Sequence, residues 1–382
     1  MNMAIYLDHN ATTPLDPRVL DAMLPWLQGV HGNPSSIHRP GREARAALDR
    51  ARMQVAALVN AQPAQVIFTS GGTEADNLAL KGVCSGKPRG RVLVSAIEHA
   101  AVLGPVEDLI RQGWQVQRLP VDHECRLDFN ALQKMLGDDV RLVSLMLANN
   151  ETGVIQDVQA VADCAKRHGA LLHTDAIQAA GKLPVDFVAL GANLMSLSAH
   201  KLGGPRGVGA LIVDRRVDLA PQITGGGQEH GLRGGTENLA GIIGFGKAAE
   251  LARLELDVRN RHLRALRNNL EAGLQSMSGI SIFAEQVERL PNTVQLGVAG
   301  FDGEMVVMEL DKRGIAASSG SACHSGSGQP SHVLLAMGVD EAYARSAVRI
   351  SFGMSNSMDD VQTLLAALMT IASKRSGALA LA

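Results

Sequence analysis

Short apolar runs recur along the first half of the chain, and helical patterns lie between several of them. Each run is bounded by glycine or polar residues, which is typical of a buried strand. The predicted strands cover residues 65–69, 91–95, 114–119, 141–147, 170–174, 195–197 and 208–213. Because a helical pattern such as 158–168 separates several neighbouring strands, the sequence predicts an α/β fold with a mostly parallel sheet.

The last third of the chain has a different pattern. A glycine-rich loop at 225–236 precedes a long helical stretch that runs to about residue 277. The strand and helix patterns that follow are at 293–298, 304–312, 348–352 and 358–374. This mixture favours a smaller α+β domain. We therefore expect a large domain formed by residues 16–255 and a small domain formed by residues 1–15 and 256–382.

The composition is that of an ordinary globular protein. With 382 residues and 46% hydrophobic content, the chain can form sizeable cores. Its formal net charge of −2 gives no reason to expect nucleic acid or an anionic membrane as a partner. The four cysteines have no C-x-x-C spacing, and neither a signal peptide nor a membrane-spanning run is visible. We therefore expect a cytoplasmic protein in a reducing compartment.

Polar side chains follow four of the predicted strands where each strand ends. Glu98 and His99 follow one strand, Asn150 follows another, and Asp175 and Lys201 close two more. Ligands of parallel sheets bind beyond the carboxyl ends of the strands. We therefore expect these side chains to converge on one edge of the sheet.

Lys201 and Asp175 carry the most specific chemistry. A lysine amine whose pKa is lowered by burial can form a Schiff base with pyridoxal phosphate (PLP). PLP enzymes also need a carboxylate that keeps the pyridinium nitrogen protonated, and Asp175 ends a strand upstream of the lysine. Taken alone, Lys201 is also compatible with a surface residue and Asp175 with a helix cap. Together they favour a PLP site.

A glycine-rich turn, SGGTEADNLAL at 70–80, follows the strand at 65–69 and begins a helix. Free backbone N–H groups and the positive end of the helix dipole suit such a turn to phosphate, and Thr73 adds a hydroxyl. Neither a Walker pattern nor G-x-G-x-x-G is present, so the sequence does not predict a nucleotide site. An ordinary helix start is the alternative.

Cys323 lies in the stretch SSGSACHSGSG at 318–328, where small and polar residues surround it. This context predicts an exposed loop with a reactive thiol. The other cysteines lie in or near apolar or helical stretches and are expected to be inert; they are Cys84, Cys125 and Cys164. Arg349, at the start of the last predicted strand, is expected either to clamp a substrate carboxylate or to form an ordinary salt bridge.

Six short motifs together resemble one family. They are GGTEADN at 71–77, ANNE at 148–151, DAIQ at 175–178, SAHK at 198–201, RGGT at 233–236 and SSGSAC at 318–323. With YLDHNATT at 6–13, they are similar to the NifS/IscS-type cysteine desulfurases, fold-type I PLP-dependent transferases of the class-V aminotransferase family. The resemblance extends to Arg349, over nearly the whole chain. It implies a large domain with a mostly parallel sheet plus a smaller α+β domain.

The resemblance implies how PLP is held. Lys201 would form the Schiff base, His99 would stack on the cofactor ring, Asp175 would pair with the pyridinium nitrogen, and Gln178 would pair with the ring hydroxyl. The residues implied to hold the phosphate are Gly72, Thr73, Ser198 and His200. Thr236 is implied to reach the phosphate of the neighbouring subunit, so a homodimer is expected.

The implied activity is the conversion of L-cysteine to L-alanine, with the sulfur left as a persulfide on Cys323. Lys201 and His99 would be catalytic with Cys323, while Asn150 and Arg349 would bind the substrate carboxylate. A sulfur-acceptor protein such as an iron–sulfur scaffold is the implied partner. The pathway stays open between nitrogenase clusters, general iron–sulfur assembly and tRNA thiolation. The family pattern is not followed at His324 and at 326–330, and the chain ends soon after its last predicted helix.

Other interpretations fit parts of the pattern. The same fold serves small-molecule aminotransferases and selenocysteine lyases, and the exposed Cys323 argues against the first of these. A catalytically silent regulatory subunit is expected to lack the lysine or the cysteine, and this chain has both. A metal hydrolase using His99, His173 and His200 is a further alternative, although we expect no metal site.

Overall fold

The computed structural model describes residues 5–320 and 329–379. Its strands are β1 (Ile5–Tyr6), β2 (Val66–Thr69), β3 (Arg91–Ser95), β4 (Gln115–Leu119), β5 (Val140–Ser144), β6 (Leu171–Asp175), β7 (Leu194–Ser198), β8 (Gly209–Val213), β9 (Ile280–Ile282), β10 (Thr293–Val298), β11 (Ile315–Ala316), β12 (Ser318–Ser319) and β13 (Ala347–Ser351). Its helices are α1 (Pro17–Gln28), α2 (Arg39–Leu58), α3 (Gly72–Cys84), α4 (Ala100–Arg111), α5 (Phe129–Met135), α6 (Val158–Arg167), α7 (Phe187–Leu190), α8 (Leu239–Leu254), α9 (Leu256–Gln275), α10 (Gly303–Asp311), α11 (His332–Ala336), α12 (Glu341–Ala344) and α13 (Met358–Leu379).

A seven-stranded sheet in the order β2-β8-β7-β6-β5-β3-β4 forms the centre of the large part of the molecule. The pairs from β4 to β7 are parallel, and β8 runs antiparallel to both of its neighbours. Every residue of β7 and β8 is buried, which explains why these strands are continuous apolar runs. The predicted α/β fold with a mostly parallel sheet is confirmed.

The helices cover this sheet and begin where the sequence gives local signals. Asp16 caps α1 by accepting a hydrogen bond from the backbone of Arg18, and proline occupies the first turn. The predicted continuous helix up to about residue 277 is wrong, because it is divided at Glu255 into α8 and α9. The Glu255 carboxylate accepts hydrogen bonds from Arg18 and Arg259 at this break.

A smaller antiparallel sheet, in the order β12-β13-β10-β9, is formed by the last third of the chain. Its apolar face packs with α9, α10 and α13 in a second core that includes Leu263, Val306, Val348 and Leu364. Leu7, from the N-terminal segment, belongs to this second core, and β1 pairs in parallel with β11. The N-terminal segment thus packs in the second core, and an isolated parallel bridge between Asp8 and Ser351 links it to β13.

Two further features bear on the predictions. The strand predicted at 141–147 ends at Ser144. Residues 145–147 continue beside β6, where Leu145 and Leu147 each donate one backbone hydrogen bond to it.

Among the helices of residues 5–320 and 329–379, none has both the length and the apolar character needed to cross a membrane.

Candidate active site

A cavity of about 320 Å³ lies at the carboxyl edge of the large sheet. The predicted site residues that line it are Gly72, Thr73, His99, Asn150, Asp175, Gln178, Ser198, His200, Lys201 and Arg349. They come from the ends of β2, β3, β5, β6 and β7 and from β13 of the small sheet. Thr236 lies on an exposed loop and does not line the cavity, and Cys323 lies outside the described residues.

One end of the cavity has the features of a phosphate site. Helix α3 begins there at Gly72 with no side chain capping its first turn, so its N–H groups face a ligand position. A Cβ atom at Gly72 would collide with Cδ1 of Ile177, so a larger residue here would require the Ile177 side chain to move. The hydroxyl oxygen of Ser198 is buried without a hydrogen-bond partner among the described atoms. These unsatisfied donors fit the phosphate of PLP.

Asp175 lies at the end of β6 and is almost fully buried. Its Oδ1 accepts a hydrogen bond of 2.8 Å from the backbone of Ile177. Burial and the nearby carboxylate of Asp76 raise the pKa of Asp175 to about 7. A cationic ring nitrogen bound next to Asp175 would offset this penalty, because an opposite charge favours the ionised carboxylate. Asp175 therefore fits the pyridinium end of PLP.

His99 precedes α4 and caps it, because its Nδ1 accepts a hydrogen bond of 3.1 Å from the backbone of Ala101. Burial, followed by the charges of Lys201 and His332, lowers the pKa of His99 to about 4. The ring is therefore neutral near pH 7. With Nδ1 accepting, the proton of the neutral ring lies on Nε2.

Lys201 ends a short 3₁₀ turn that follows β7 directly. Its Nζ donates hydrogen bonds to the backbone carbonyls of Asn10 and Ala11, the latter at 2.8 Å. Gly203, two residues later, has a φ of +83°, which lets the chain turn back sharply after the lysine. The amine is thus held at the cavity wall by N-terminal carbonyls.

Arg349 is the largest fully buried side chain near the cavity and lies on β13. Its Nη2 is 2.7 Å from Asp8 Oδ1, and its Nη1 donates a hydrogen bond of 3.1 Å to the carbonyl of Asn150. Its Nε has no partner in the described part of the chain. Arg349 therefore forms a salt bridge and also borders the cavity.

Several residues of the site were not predicted from the sequence. Asn10 accepts or donates hydrogen bonds with seven surrounding residues, and the buried Lys182 donates a hydrogen bond to Gln178. His332 Nε2 lies 2.9 Å from the carbonyl oxygen of Glu98, the residue before His99. The motif YLDHNATT, which contains Asn10, was the available signal, but it does not show what these residues contact.

A second cavity of about 330 Å³ lies on the other side of Lys201. Its lining includes His9, Arg18, Lys182, Glu255 and Phe352. It contains neither the start of α3 nor Asp175. The cavity at the carboxyl edge is therefore the one that fits PLP.

The metal-hydrolase alternative does not fit the position of His173. This side chain is fully buried, and its two ring nitrogens lie 2.9 Å from Ser144 Oγ and 3.0 Å from Ser196 Oγ. It does not line the cavity with His99 and His200. Among the described residues, no three histidine, cysteine, aspartate or glutamate side chains are arranged to hold a metal ion.

The three described cysteines agree with the expectation that they are inert. Cys84, Cys125 and Cys164 are free and buried. Burial raises the pKa of Cys84 and of Cys125 to about 12. Such thiols remain protonated near pH 7 and are poor nucleophiles.

Comparisons with known proteins identify the family of the chain. The model of the aminotransferase class-V family matches residues 5–364. A cysteine desulfurase of Sinorhizobium fredii is 46% identical over 374 residues, which cover 97% of each chain. A solved NifS-like protein has a TM-score of 0.92 at 37% identity, covering 97% of this chain and all of its own. SspA, solved in complex with cysteine, has a TM-score of 0.81 at 32% identity, covering 91% and 98% of the two chains.

The match thus extends over nearly the whole length of the chain and of its relatives, and it includes the strands that form the cavity. The resemblance drawn from six motifs is confirmed. The chain belongs to the aminotransferase class-V family and, within it, to the PLP-dependent cysteine desulfurases.

Proposed function

We propose that the protein is a cytoplasmic, homodimeric enzyme that converts L-cysteine to L-alanine and leaves the sulfur as a persulfide on Cys323. One observation carries the proposal. Lys201, Asp175 and the uncapped start of α3 meet in a single cavity. These are the groups required by the aldehyde carbon, the ring nitrogen and the phosphate of PLP.

Each part of the cavity then has a distinct task. Lys201 Nζ would hold PLP covalently, Asp175 would keep its ring nitrogen protonated, and His99 would stack on the ring. The phosphate would be held by Gly72, Thr73, Ser198 and His200. When bound, PLP would take up the electron pair released at the substrate Cα. The buried and neutral His99 ring offers an uncharged face for this stacking.

The substrate is oriented by its carboxylate. Arg349 and Asn150 would bind this group, because both line the cavity and the Nε of Arg349 points to no acceptor in the described residues. Lys201 Nζ would accept the proton from the substrate Cα, since it lies at the same wall. Protein groups thus fix the substrate and move one proton.

The sulfur step needs no external oxidant. The Cys323 sulfur, as a thiolate, bonds to the substrate sulfur while the substrate Cβ–S bond breaks. The electron pair of that bond remains with Cβ, which gains a proton. L-cysteine and the Cys323 thiol thereby become L-alanine and a Cys323 persulfide, with atoms and electrons balanced. The Nε2 proton of His99 is a donor candidate for this step.

The described residues on both sides of Cys323 support this assignment. Ser318, on β12, pairs with Arg349 on β13. Ser331 Oγ donates a hydrogen bond to Glu151, and the next residue, His332, contacts the carbonyl of Glu98. The chain therefore leaves and returns next to residues that border the cavity.

The homodimer is supported by the position of Thr236. This residue is exposed and outside the cavity of its own chain. Its loop is anchored by Glu229, which pairs with Arg52, and by Arg233, which pairs with Glu74. An exposed threonine on an anchored loop suits a phosphate in a neighbouring subunit. The free, buried state of the described cysteines supports a reducing, cytoplasmic location.

The final acceptor is proposed to be a protein such as an iron–sulfur scaffold. A persulfide is a reactive carrier, and an exposed loop would let it meet a second protein. Nucleic acid and membranes are not proposed as partners, because the net charge of −2 offers no electrostatic attraction to either.

The experiment is incubation of the purified protein with PLP, L-cysteine and a thiol that reduces persulfides, followed by quantification of alanine and of sulfide. The proposal predicts alanine formation by the wild type. Cys323→Ala is expected to retain bound PLP but to release no sulfide, and Cys164→Ala serves as the matched control with unchanged output. Normal sulfide output from Cys323→Ala would refute the role of Cys323, and absence of PLP uptake by the wild type would refute the proposed function.

A further inference from the structure

Lys182 is a buried lysine that the proposed mechanism does not use. The residue is 7% exposed and lies in the loop between β6 and α7. Its Nζ donates hydrogen bonds to Gln178 Oε1 at 2.8 Å and to Asn10 Oδ1 at 3.2 Å. Both acceptors are neutral amide oxygens rather than carboxylates. Burying a lysine beside neutral partners is costly, so the contacts call for an explanation.

The contacts of Gln178 supply that explanation. A lysine amine at this position donates, so the amide oxygen of Gln178 must face Lys182. On its other side, Gln178 Nε2 donates a hydrogen bond of 2.9 Å to the carbonyl oxygen of Asn10, which can only accept. The two neighbours therefore require the same orientation of the amide. The second N–H of Gln178 is then the group left for a ligand in the cavity.

Asn10 is fixed in the same way. Its Oδ1 accepts from Lys182 and, at 3.1 Å, from Asn292. Its Nδ2 donates to the carbonyl of Asn150 and to Thr293 Oγ1. The carbonyl that receives Gln178 is thus part of a saturated network, and it also receives a hydrogen bond from Lys201.

We propose that Lys182 is a positioning residue that fixes the amide of Gln178 with its N–H toward the cofactor ring, so that Gln178 donates to the ring oxygen. The proposal rests on the proposed function only in that the cavity holds PLP. A donor at this oxygen stabilises negative charge on it. A proton on the nitrogen that joins Lys201 to the cofactor is favoured by the negative charge of the ring oxygen. A donor to this oxygen weakens that attraction and therefore lowers the pKa of the nitrogen.

The test measures the visible absorbance of bound PLP as a function of pH, without substrate. Lys182→Met is expected to raise the pH midpoint of the absorbance change by about one unit, because the Gln178 amide is then held only by the Asn10 carbonyl and donates less well to the ring oxygen. Lys182→Gln retains a neutral donor to Gln178, so its pH midpoint is expected to stay close to that of the wild type. Gln178→Leu alone is expected to raise the midpoint by a similar amount.

The double variant separates positioning from a direct effect of the lysine charge. If Lys182 acts through Gln178, Lys182→Met has little further effect on the midpoint in the Gln178→Leu background. An equal shift in both backgrounds would overturn the proposal, as would a lower melting temperature with an unchanged midpoint. If Lys182→Met does not fold, Lys182→Leu, which also removes the donor to Gln178, provides the same comparison in the two backgrounds. Failure of the wild-type protein to bind PLP would instead refute the proposed function.

Discussion

Arg349 Nη2 and Asp8 Oδ1 lie 2.7 Å apart and join the last strand of the small sheet to the N-terminal segment. The arginine side chain is 2% exposed, so its guanidinium depends on these protein partners for its orientation. The Nε of Arg349 has no hydrogen-bond acceptor among the described residues. Asp8 therefore orients a guanidinium that borders the cavity.

The Asp8 contact predicts a binding defect when it is removed. Asp8→Ala is expected to raise the KM for L-cysteine about tenfold with a smaller change in kcat, because Arg349 loses its fixed orientation. Asp8→Asn retains an oxygen acceptor and is expected to change the KM by less than about threefold. Steady-state alanine formation measures both values. An unchanged KM in Asp8→Ala would argue against substrate binding by Arg349.

Lys201 is predicted to be the lysine that reacts with PLP, although Lys182 is buried nearby. Only Lys201 of the two lines the cavity at the sheet edge. Borohydride reduction of the loaded protein should therefore attach the pyridoxyl group to the peptide that contains Lys201. Lys201→Ala should give no label, whereas Lys182→Met should still be labelled at Lys201. A label on Lys182 in the wild type would contradict the assignment.

The buried ion pair between Glu229 and Arg52 predicts a large stability effect. Arg52 donates two hydrogen bonds to the carboxylate, which also accepts one of 2.8 Å from the backbone of Phe68. Glu229→Ala would leave the arginine buried and unpaired, which costs about 3–5 kcal/mol of unfolding free energy. Chemical denaturation measures this value. The exposed pair of Arg39 and Glu43 is the matched control, and Glu43→Ala should cost less than about 1 kcal/mol.

His173 predicts a specific pH dependence of stability. Burial lowers its pKa from 6.5 to about 4, so the unfolded chain binds an extra proton at this residue between these values. The contribution of neutral His173 to the unfolding free energy is complete above about pH 6.5 and is lost as the pH falls towards 4. His173 should therefore reduce the unfolding free energy by about 1.4 kcal/mol per pH unit in this window. Other buried groups contribute in both directions, so a variant is needed to isolate it.

The variant for this test is His173→Asn. Its unfolding free energy should depend less steeply on pH than that of the wild type by about one proton between pH 6.5 and 4.5. Denaturant unfolding of the cofactor-free protein at several pH values gives both slopes. Parallel curves for the two proteins would show that His173 does not remain neutral in the folded state.

The sequence predicted the part of the site that lies at strand ends. Lys201, Asp175 and the turn before α3 each follow a buried strand, and the geometry of a parallel sheet brings such positions together. The contacts that orient these groups were not predicted. Asp8 and Arg349 are 341 positions apart, and Asn10 contacts Asn150 over 140 positions. Periodicity reports local structure and carries no information about such pairs.

Two other features of the structure were not predicted, and both involve contacts between positions that are far apart in the sequence. The helix break at Glu255 coincides with a side-chain contact to Arg18 of α1, and no proline or glycine marks it in the sequence. The buried Lys182 was not identified because a lysine in a polar loop is normally exposed. Its burial becomes understandable only when Gln178 and Asn10 are in place.

The central claim is that the sulfur of L-cysteine is transferred to Cys323. The most direct measurement is mass spectrometry of peptides after a single turnover with L-cysteine. We predict one additional sulfur atom on the peptide that contains Cys323 and an equal amount of L-alanine. Additional sulfur on the peptides of Cys84, Cys125 or Cys164 instead, or alanine formed without any persulfide, would contradict the account.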